Sequence, residues 1–370
     1  MIVRDEAEFL PQFLERVNGV WDEFIAVDTG SSDNTKALLE AAGAKVVDFA
    51  WNNDFSQARN ASLSHATKDF ILVLDADEMP EPGFVQEVRA CIETPNMGAA
   101  SIRIQSAMNY GHLHESDILR LFRRDFQPTY SYRVHEQVAT SVELALMTTN
   151  KDYVHLTTPV VHLGYSRAVC AARNKKQRDT TLLWACVNDD ADDLYSWYKL
   201  LEQGRFHQDA ELTEKAAQGA LAALDRLADP AGSEHFLPEM VVLLTEALTP
   251  EDPIRAEQLL YRWAERLPKS PALLHARGQH REVMGEMALA AQDFEQCLTL
   301  DGRASNRQLT SVRPRLGLAR IALARADIQT AQRHVSASLL LAPKDPEALL
   351  AQEFLASLQN PAAAGQSSSP

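Results

Sequence analysis

The stretch Phe70–Glu78 reads FILVLDADE, an apolar run followed at once by acidic residues. The run Phe70–Leu74 predicts a central strand of a sheet, because a strand covered on both faces needs apolar side chains on both. Asp75 and Asp77 then follow the carboxyl end of that strand, which is the edge at which open α/β sheets bind ligands. The stretch therefore predicts an α/β fold with an acidic site at one edge of the sheet.

Apolar runs alternate with helical patterns on both sides of this stretch. In chain order the predicted elements are strand 24–27, helix 35–42, strand 45–49, helix 57–66 and helix 82–93. Between Ala99 and about Tyr165 the pattern changes to short strands and irregular loops. Residues 1–165 are therefore expected to form one α/β domain.

Beyond Ser166 the chain changes to amphipathic helices rich in Ala, Leu, Glu, Gln and Arg. An offset of 34 residues superimposes Ala256, Leu260, Trp263 and Pro268 on Ala290, Phe294, Cys297 and Gly302. This spacing resembles the tetratricopeptide repeat, in which small residues such as Gly278 allow close helix packing. An unrelated bundle of Ala-rich helices is the alternative. We expect a linking helical region at 166–248, repeats at 249–358 and a disordered tail at 359–370.

The overall composition limits the classes of partner. Lys and Arg number 36 and Asp and Glu 51, a net charge of −15, which disfavours nucleic acid and anionic membranes as main partners. The 4 cysteines are far apart in sequence, so a reducing compartment is expected and neither a zinc site nor a disulfide framework is. The sequence contains no secretory signal and no run of about 18 apolar residues, so we expect a cytoplasmic protein without a transmembrane segment.

Asp75 and Asp77 stand two residues apart, as in a site for a divalent cation and a nucleotide. Two carboxylates just past a strand can reach Mg²⁺ or Mn²⁺ together with the ribose or diphosphate of a nucleotide, since these ions prefer oxygen ligands. A solvated acidic turn is the simpler alternative. A calcium loop of the EF-hand kind is excluded, because its sixth and twelfth positions hold Pro80 and Gln86.

Two further motifs precede the acidic stretch. Residues 27–35 read VDTGSSDNT and place Asp28 at a strand end, before a tight turn and a capped helix that account for the rest of the motif. The letters DTGS also occur in aspartic proteases, but no second DTG is present and the βα alternation does not fit an all-β chain. Residues 54–60 read DFSQARN and place Arg59 on a helix, where its guanidinium can stack on a base or reach phosphate oxygens.

Together these ordered motifs resemble family 2 glycosyltransferases of the GT-A type. The motifs are MIVRDE at 1–6, VDTGSSD at 27–33, DFS and ARN within 54–60, LVLDADE at 72–78, RLFR at 120–123, RVHEQV at 133–138 and VHLGY at 161–165. The chain is similar to the branch that carries C-terminal tetratricopeptide repeats and includes the peptide S-glycosyltransferases. The implied architecture is a Rossmann-like α/β GT-A domain followed by an all-α repeat domain.

The resemblance implies a role for each motif residue. Asp28 contacts the nucleobase, usually uracil, and Arg59 contacts the nucleotide. Asp75 and Asp77 are the sugar-nucleotide and metal carboxylates, and His162 completes the coordination of Mn²⁺ or Mg²⁺ through a neutral imidazole. The alternative for His162 is a strand histidine that bonds a backbone carbonyl.

An inverting transfer also needs a general base that takes the acceptor proton. Glu136 is the candidate, since it lies in a polar cluster between apolar positions. Glu78, beside the metal motif, competes for this role, and Glu136 could instead orient His135. His112 and His114 stand two apart without a third ligand nearby, so a polar loop over the acceptor cleft is expected there.

The expected function is transfer of a hexose or N-acetylhexosamine from a nucleotide sugar, with UDP as the expected carrier. The acceptor is a protein, peptide or saccharide held partly by the repeats. The alternative is an inactive scaffold, similar to a glycosyltransferase with tetratricopeptide repeats, that binds protein partners. Relatives carry a few residues before the MIV run, so either the chain begins further upstream or the first strand is short and donor binding is weakened.

Overall fold

A computed structural model of the chain describes residues 1–107, 113–163, 175–229, 236–300 and 307–359. Contacts divide the chain into two compact units, Met1–Gln203 (unit 1) and Gly204–Pro370 (unit 2). The boundaries that the sequence predicts after residues 165, 248 and 358 stay predictions. Some residues singled out above lie outside the described part: His112, Gly164, Tyr165, Gly302, the side chain of His114 and the tail from residue 360 onward.

The described part of unit 1 contains two β-sheets. Their strands are β1 Ile2–Val3, β2 Ile25–Asp28, β3 Lys45–Asp48, β4 Phe70–Leu72, β5 Glu78–Pro80, β6 Met97–Ala107, β7 Leu113–Arg123 and β8 Asp152–His162. The first sheet has the order β1-β2-β3 with all strands parallel, and the second has the order β4-β7-β6-β8-β5. In the second sheet β6 and β8 run parallel, and the other pairs are antiparallel.

Helices of unit 1 cover the sheets and pack around two buried clusters. They are α1 Leu10–Arg16, α2 Thr35–Ala41, α3 Phe55–Ser64, α4 Phe84–Ile92, α5 Ala139–Thr149 and α6 Lys175–Asp189, while α7 Leu194–His207 begins in this unit. Leu10, Leu39 and Phe84 pack with strand residues such as Ile102 in one buried cluster. The predicted α/β fold class and the alternation of strands and helices before residue 93 are confirmed.

The prediction that the run Phe70–Leu74 is a central strand is wrong. β4 lies at the end of the strand order and pairs with β7 on one side. Phe70 and Leu72 nevertheless pack against one core cluster, and Ile71 packs against another. Both faces of the strand are therefore covered, which explains the continuous apolar run without a central position.

The prediction that the strands between Ala99 and Tyr165 are short is also wrong, whereas the irregular stretch 127–138 agrees with the predicted loops. β6, β7 and β8 each have 11 residues, and the helix α5 was not expected at all. Polar side chains interrupt the apolar pattern because they pair across the strands: Arg103 Nε lies 3.4 Å from Asp117 Oδ1, and Gln105 Nε2 donates to Glu115 Oε1 at 2.6 Å. A strand that carries such cross-strand pairs does not need regular alternation.

Unit 2 is helical throughout its described residues. Its helices are α8 Ala210–Arg226, α9 Leu237–Leu248, α10 Pro253–Arg266, α11 Pro271–Val283, α12 Met287–Thr299, α13 Val312–Ala324, α14 Ile328–Leu341 and α15 Pro346–Gln359, with a short 3₁₀ turn at Arg307–Thr310. The predicted all-α second half is confirmed. No helix in the described ranges is long and apolar enough to span a membrane.

The residues that define the repeat lie in the helix interfaces of unit 2. Phe294 on α12 is fully buried, and its ring fills the space left by Gly278 on α11 and Gly317 on α13. A Cβ atom added to Gly278 would lie 2.8 Å from this ring, and one added to Gly317 would lie 2.5 Å from it. The small residues therefore allow three consecutive helices to close around one aromatic side chain.

Candidate functional site

The acidic motif lies where β4 leads into β5. Val73 still pairs with β7 through a backbone hydrogen bond to Arg120 of 2.8 Å, and the chain then turns through Asp75 to reach Glu78. In the antiparallel pair of β5 and β8, Glu78 stands opposite His162. Strand pairing thus brings His162 beside a motif that is distant in sequence.

Arg59 joins two of the predicted site residues. Its Nη2 donates to Asp75 Oδ1 at 2.6 Å and to Oδ2 at 2.9 Å, and its Nε donates to Glu136 Oε1 at 3.0 Å. Arg59 is only 3% exposed. The helix α3 that carries it begins at a fixed point, because the Asp54 side chain accepts a hydrogen bond from the Gln57 backbone N–H at 3.1 Å. A buried guanidinium therefore holds the carboxylates of Asp75 and Glu136 in a single geometry.

A second arginine pairs with Glu78. Arg120 Nη2 donates to Glu78 Oε1 at 2.8 Å and lies 3.7 Å from Asp75 Oδ2. The other oxygen of Glu78, Oε2, accepts a hydrogen bond from the backbone N–H of Asp75 at 2.9 Å. Glu78 is buried, and both of its oxygens are engaged in holding Asp75 and Arg120.

The two carboxyl groups of this cluster differ in their proton affinity. Burial would raise the pKa of Asp75, but the positive charges of Arg59 and Arg120 outweigh burial and hold its pKa well below the usual range. For Glu78, burial together with the nearby charge of Asp75 raises the pKa, although Arg120 opposes the change. Asp75 is therefore ionised throughout the physiological range.

Asp77 and His162 form a separate pair. His162 Nε2 lies 3.4 Å from Asp77 Oδ2, and the backbone N–H of Leu163 donates to the Asp77 carbonyl at 2.9 Å. Burial alone would lower the pKa of His162, but its hydrogen bond to Asp77 and the charge of that carboxylate raise the pKa. The imidazole thus lies beside the Asp77 carboxylate.

A carboxylate oxygen and an imidazole nitrogen this close are a donor set that suits Mn²⁺, with Mg²⁺ preferring oxygen ligands. Three or more His, Cys, Asp or Glu side chains grouped to hold a metal ion are not found within the described ranges. Asp77 and His162 would supply one oxygen and one nitrogen ligand to such an ion.

Asp28 uses its two carboxylate oxygens differently. Its Oδ1 accepts hydrogen bonds from the backbone N–H groups of Gly30 and Ser31, both at 2.9 Å, and Gly30 has a left-handed φ of 109°. Its Oδ2 is buried and has no hydrogen-bonding partner among the described residues. One oxygen shapes the turn, and the other is left for a ligand donor.

The remaining polar residues of this motif have structural roles. Ser31 Oγ accepts a hydrogen bond from the Asp5 backbone at 3.0 Å, and Asp33 Oδ2 accepts one from the Ala7 backbone at 3.1 Å. Thr35 Oγ1 accepts one from the Glu6 backbone at 2.8 Å. These contacts tie the segment after β1 to the turn after β2.

Glu136 lies in a loop that a backbone bridge between Ser131 and Gln137 closes. Its side chain is 15% exposed, and Oε1 is the atom that Arg59 holds. Within the described part of the chain, Oε2 has no hydrogen-bonding partner. Glu136 is thus held through one of its two carboxylate oxygens.

Sequence reasoning gave no role to Arg120 or Tyr130. Arg120 stands on β7 between Leu119 and Leu121, and a charged residue between buried apolar neighbours needs a counter-charge, which is the signal that could have found it. The Tyr130 hydroxyl is buried and has no partner among the residues described. Burial raises the pKa of the Tyr130 phenol, although the nearby charges of Arg59 and Arg120 favour its charged form.

Parts of this chain are similar to known glycosyltransferases and to a repeat protein. Residues 1–141 match the family model described as Glycosyl transferase family 2. A TPR repeat-containing protein of Synechococcus elongatus is 38% identical over 221 residues, which are 59% of this chain and 53% of that protein. The SPbeta prophage-derived glycosyltransferase SunS of Bacillus subtilis is 29% identical over 143 residues, which are 37% of this chain and 33% of that protein.

A solved structure of glucosyl-3-phosphoglycerate synthase from Mycobacterium tuberculosis covers 50% of this chain and 78% of its own, with 15% identity and a TM-score of 0.38. The chain spans about half the length of the first relative and a third of the second. The resemblance that the motifs indicated, a family 2 glycosyltransferase region followed by helical repeats, is confirmed. The matched region contains Asp28, Arg59, Asp75, Asp77 and Glu136, and it ends before His162.

Proposed function

We propose that this chain is a metal-dependent inverting glycosyltransferase that moves a hexose or N-acetylhexosamine from a UDP-sugar to an acceptor. The main support for this proposal is the pair of hydrogen bonds that the Arg59 guanidinium makes. It donates both to Asp75 of the acidic motif and to Glu136, within a region that matches family 2. A single buried cation thereby couples the donor side of the site to the candidate base.

On the donor side, Asp28 binds the nucleobase. Its buried Oδ2 accepts a hydrogen bond from the base, for which the N3–H of uracil is suited. Arg59 contacts the nucleotide through Nη1, a buried nitrogen with no partner in the described part of the chain. Asp75, held by the same guanidinium, contacts the sugar or ribose hydroxyls.

Asp77 and His162 would hold Mn²⁺ or Mg²⁺, and the ion would supply positive charge to the diphosphate leaving group. Binding of the ion would require the neutral form of His162, because only an unprotonated ring nitrogen can act as a ligand. Asp77 turns toward His162 because β5 and β8 pair antiparallel beside it.

Glu136 acts as the general base. The acceptor attacks the anomeric carbon from the face opposite the diphosphate, the bond to the diphosphate breaks, and the acceptor proton passes to Oε2 of Glu136. Arg59 keeps the carboxylate in place through Oε1. Glu78 is less suited to this role, since Arg120 and the Asp75 backbone occupy both of its oxygens.

The acceptor is a protein, a peptide or a saccharide, and the helical repeats of unit 2 contribute to its recognition. Stacked helical repeats commonly form extended surfaces that bind peptides. The 4 cysteines lie far apart in sequence and indicate a reducing compartment, which supports a cytoplasmic enzyme.

The test is calorimetric titration of UDP, and separately of GDP, first with Mn²⁺ and then with EDTA. We expect UDP to bind with Mn²⁺ and to lose most of its affinity in EDTA. The variant Asp77→Ala should lose the metal dependence at an unchanged thermal midpoint, whereas the control Asp69→Ala, an exposed carboxylate before β4, should behave like the wild type. Absence of binding by either nucleotide would favour the inactive scaffold instead.

A further inference from the structure

The loop Ser131–Gln137 presents Glu136 to Arg59 in an unusual backbone conformation. The residue before Glu136, His135, has φ of 56°, and Tyr132 has φ of 71°. A left-handed backbone is unfavourable for a residue with a side chain, so it persists only where surrounding contacts hold it. The direction of the Glu136 side chain depends directly on the strained His135 peptide.

Tyr195 makes the contact that holds this peptide. Its hydroxyl donates to the His135 carbonyl at 2.7 Å and accepts a hydrogen bond from Gln137 Nε2 at 3.2 Å. Gln137 Nε2 also lies 3.3 Å from the same carbonyl, so the three groups form a closed triangle. The residues on both sides of Glu136 are thus bonded to one phenol.

The ring of Tyr195 adds a second contact with the loop. It stacks on Tyr132 with ring centroids 3.9 Å apart and an angle of 24° between the planes. Tyr195 is 3% exposed and belongs to α7, beyond the residues that the family model matches. Both left-handed residues of the loop, Tyr132 and His135, therefore touch the same side chain from the helical part of unit 1.

We infer that Tyr195 is a positioning residue for Glu136. By holding the His135 carbonyl and stacking on Tyr132, it keeps the loop in the conformation that places the Glu136 carboxylate on Arg59. The inference rests on the proposed function, in which Glu136 is the base. It makes the first turn of α7 a part of the catalytic unit and not a spacer that leads to the repeats.

The test compares Tyr195→Phe with the control Tyr198→Phe. Tyr198 lies on the same helix, is similarly buried at 8% exposed, and donates its hydroxyl to Glu202 on its own helix at 2.8 Å. The first readout is hydrogen exchange of the amides of Ser131 and Gln137, whose backbone bridge closes the loop. We expect faster exchange in Tyr195→Phe and not in Tyr198→Phe. Equal exchange in both variants would overturn the inference, whether or not the protein has activity.

The second readout is UDP release with Mn²⁺ from UDP-glucose and UDP-N-acetylglucosamine, with water as acceptor. We expect kcat of Tyr195→Phe to fall roughly tenfold to a hundredfold, the loss typical of a small misplacement, with the donor KM within about twofold. In the Glu136→Gln background, Tyr195→Phe should cause no further loss of kcat, because the Glu136 carboxylate that Tyr195 positions is already absent.

The activities of the two variants distinguish the positioning role of Tyr195 from the base role of Glu136. If Glu136→Gln is inactive but Tyr195→Phe keeps full kcat, the positioning role is wrong while the base assignment stands. If Glu136→Gln turns over normally, the base assignment is wrong, and the positioning role falls with it. A loss in Tyr195→Phe that adds fully to that of Glu136→Gln would show that Tyr195 acts on folding or on another group.

Discussion

At the scale of single residues, Asp28 shows how one carboxylate can serve both structure and binding. Its Oδ1 accepts two backbone hydrogen bonds of the turn, while Oδ2 is buried without a partner among the described residues. A buried polar atom without a partner costs free energy of about 1–3 kcal/mol, so its persistence points to a ligand that completes it. The turn and the ligand contact can therefore be separated by substitution.

The variant Asp28→Asn should keep the turn and lose UDP binding. The amide oxygen can still accept the Gly30 and Ser31 N–H groups, but an NH₂ group replaces the acceptor Oδ2. We expect UDP affinity to fall about tenfold or more, since a hydrogen bond to a charged group contributes about 1.5–3 kcal/mol. Titration calorimetry measures this, with the exposed Asp69→Asn as control. Unchanged affinity in Asp28→Asn would remove this residue from the donor site.

Glu78 and Glu136 show why residue type alone does not assign a role. Both are glutamates beside the acidic cluster, and both are plausible bases from the sequence. Glu78 is buried with both oxygens bonded, whereas Glu136 is 15% exposed with one oxygen held by Arg59. The difference lies in their partners, which only the folded arrangement reveals.

At the scale of elements, the repeat helices pack through complementary shapes, in which a large side chain on one helix meets glycines on its neighbours. The ring of Phe294 lies against Gly278 and Gly317, and His275 contacts the same ring with centroids 5.5 Å apart. Asp293, beside Phe294, is buried and accepts hydrogen bonds from Arg277 and Arg281 of α11. The turn of α12 that carries Asp293 and Phe294 therefore combines close packing with charge pairing.

Gly317→Ala should destabilise unit 2. The added Cβ would stand 2.5 Å from the Phe294 ring, which is fully buried and has no room to move. We expect a loss of about 1–3 kcal/mol in the free energy of unfolding, the usual effect of overpacking. Urea denaturation followed by circular dichroism measures it.

A double-mutant cycle supplies the control for this prediction. Phe294→Leu alone removes the ring and should also destabilise, by leaving a cavity. In the double variant the smaller side chain makes room for the Cβ of Gly317→Ala, so the combined loss should be clearly less than the sum. Additive losses would show that the ring is not the obstacle.

At the scale of the whole molecule, acid acts on the fold in two opposing ways. The net charge of −15 at pH 7 implies self-repulsion that protonation of carboxylates relieves. His275, only 8% exposed, has its pKa lowered to about 4 by burial and by the charges of Arg320 and Arg313. Since the folded pKa lies below the unfolded value, the unfolded chain binds more protons between these two pH values.

The stability that neutral His275 contributes should therefore be present above about pH 6.5 and lost as the pH falls toward 4. A shift of this size corresponds to about 3 kcal/mol. We expect the urea midpoint of the wild type to fall between pH 7 and pH 4.5 by more than that of His275→Leu, which cannot titrate. Equal pH dependence in the two proteins would show that the histidine titrates normally in the folded state.

The sequence by itself determined the alternation of strands and helices between residues 24 and 93, the change to helical repeats and the positions of the motifs. Turns, helix caps and the spacing of apolar residues depend on a few neighbouring positions. Sequence patterns such as the turn after Asp28, the FILVLDADE stretch and the spacing of Ala290 and Phe294 therefore reveal them. The sequence patterns did not predict the edge position of β4 or the length of β6 to β8, because cross-strand partners compensate for irregular local patterns.

Only the tertiary structure decided how the site residues are paired. Arg59 bridges Asp75 and Glu136, and His162 stands beside Asp77 because β5 pairs with β8. Tyr195 reaches the loop of Glu136 from a helix that follows the sheet in the chain. These contacts join residues far apart in sequence and depend on strand register and side-chain packing, which short-range patterns do not encode.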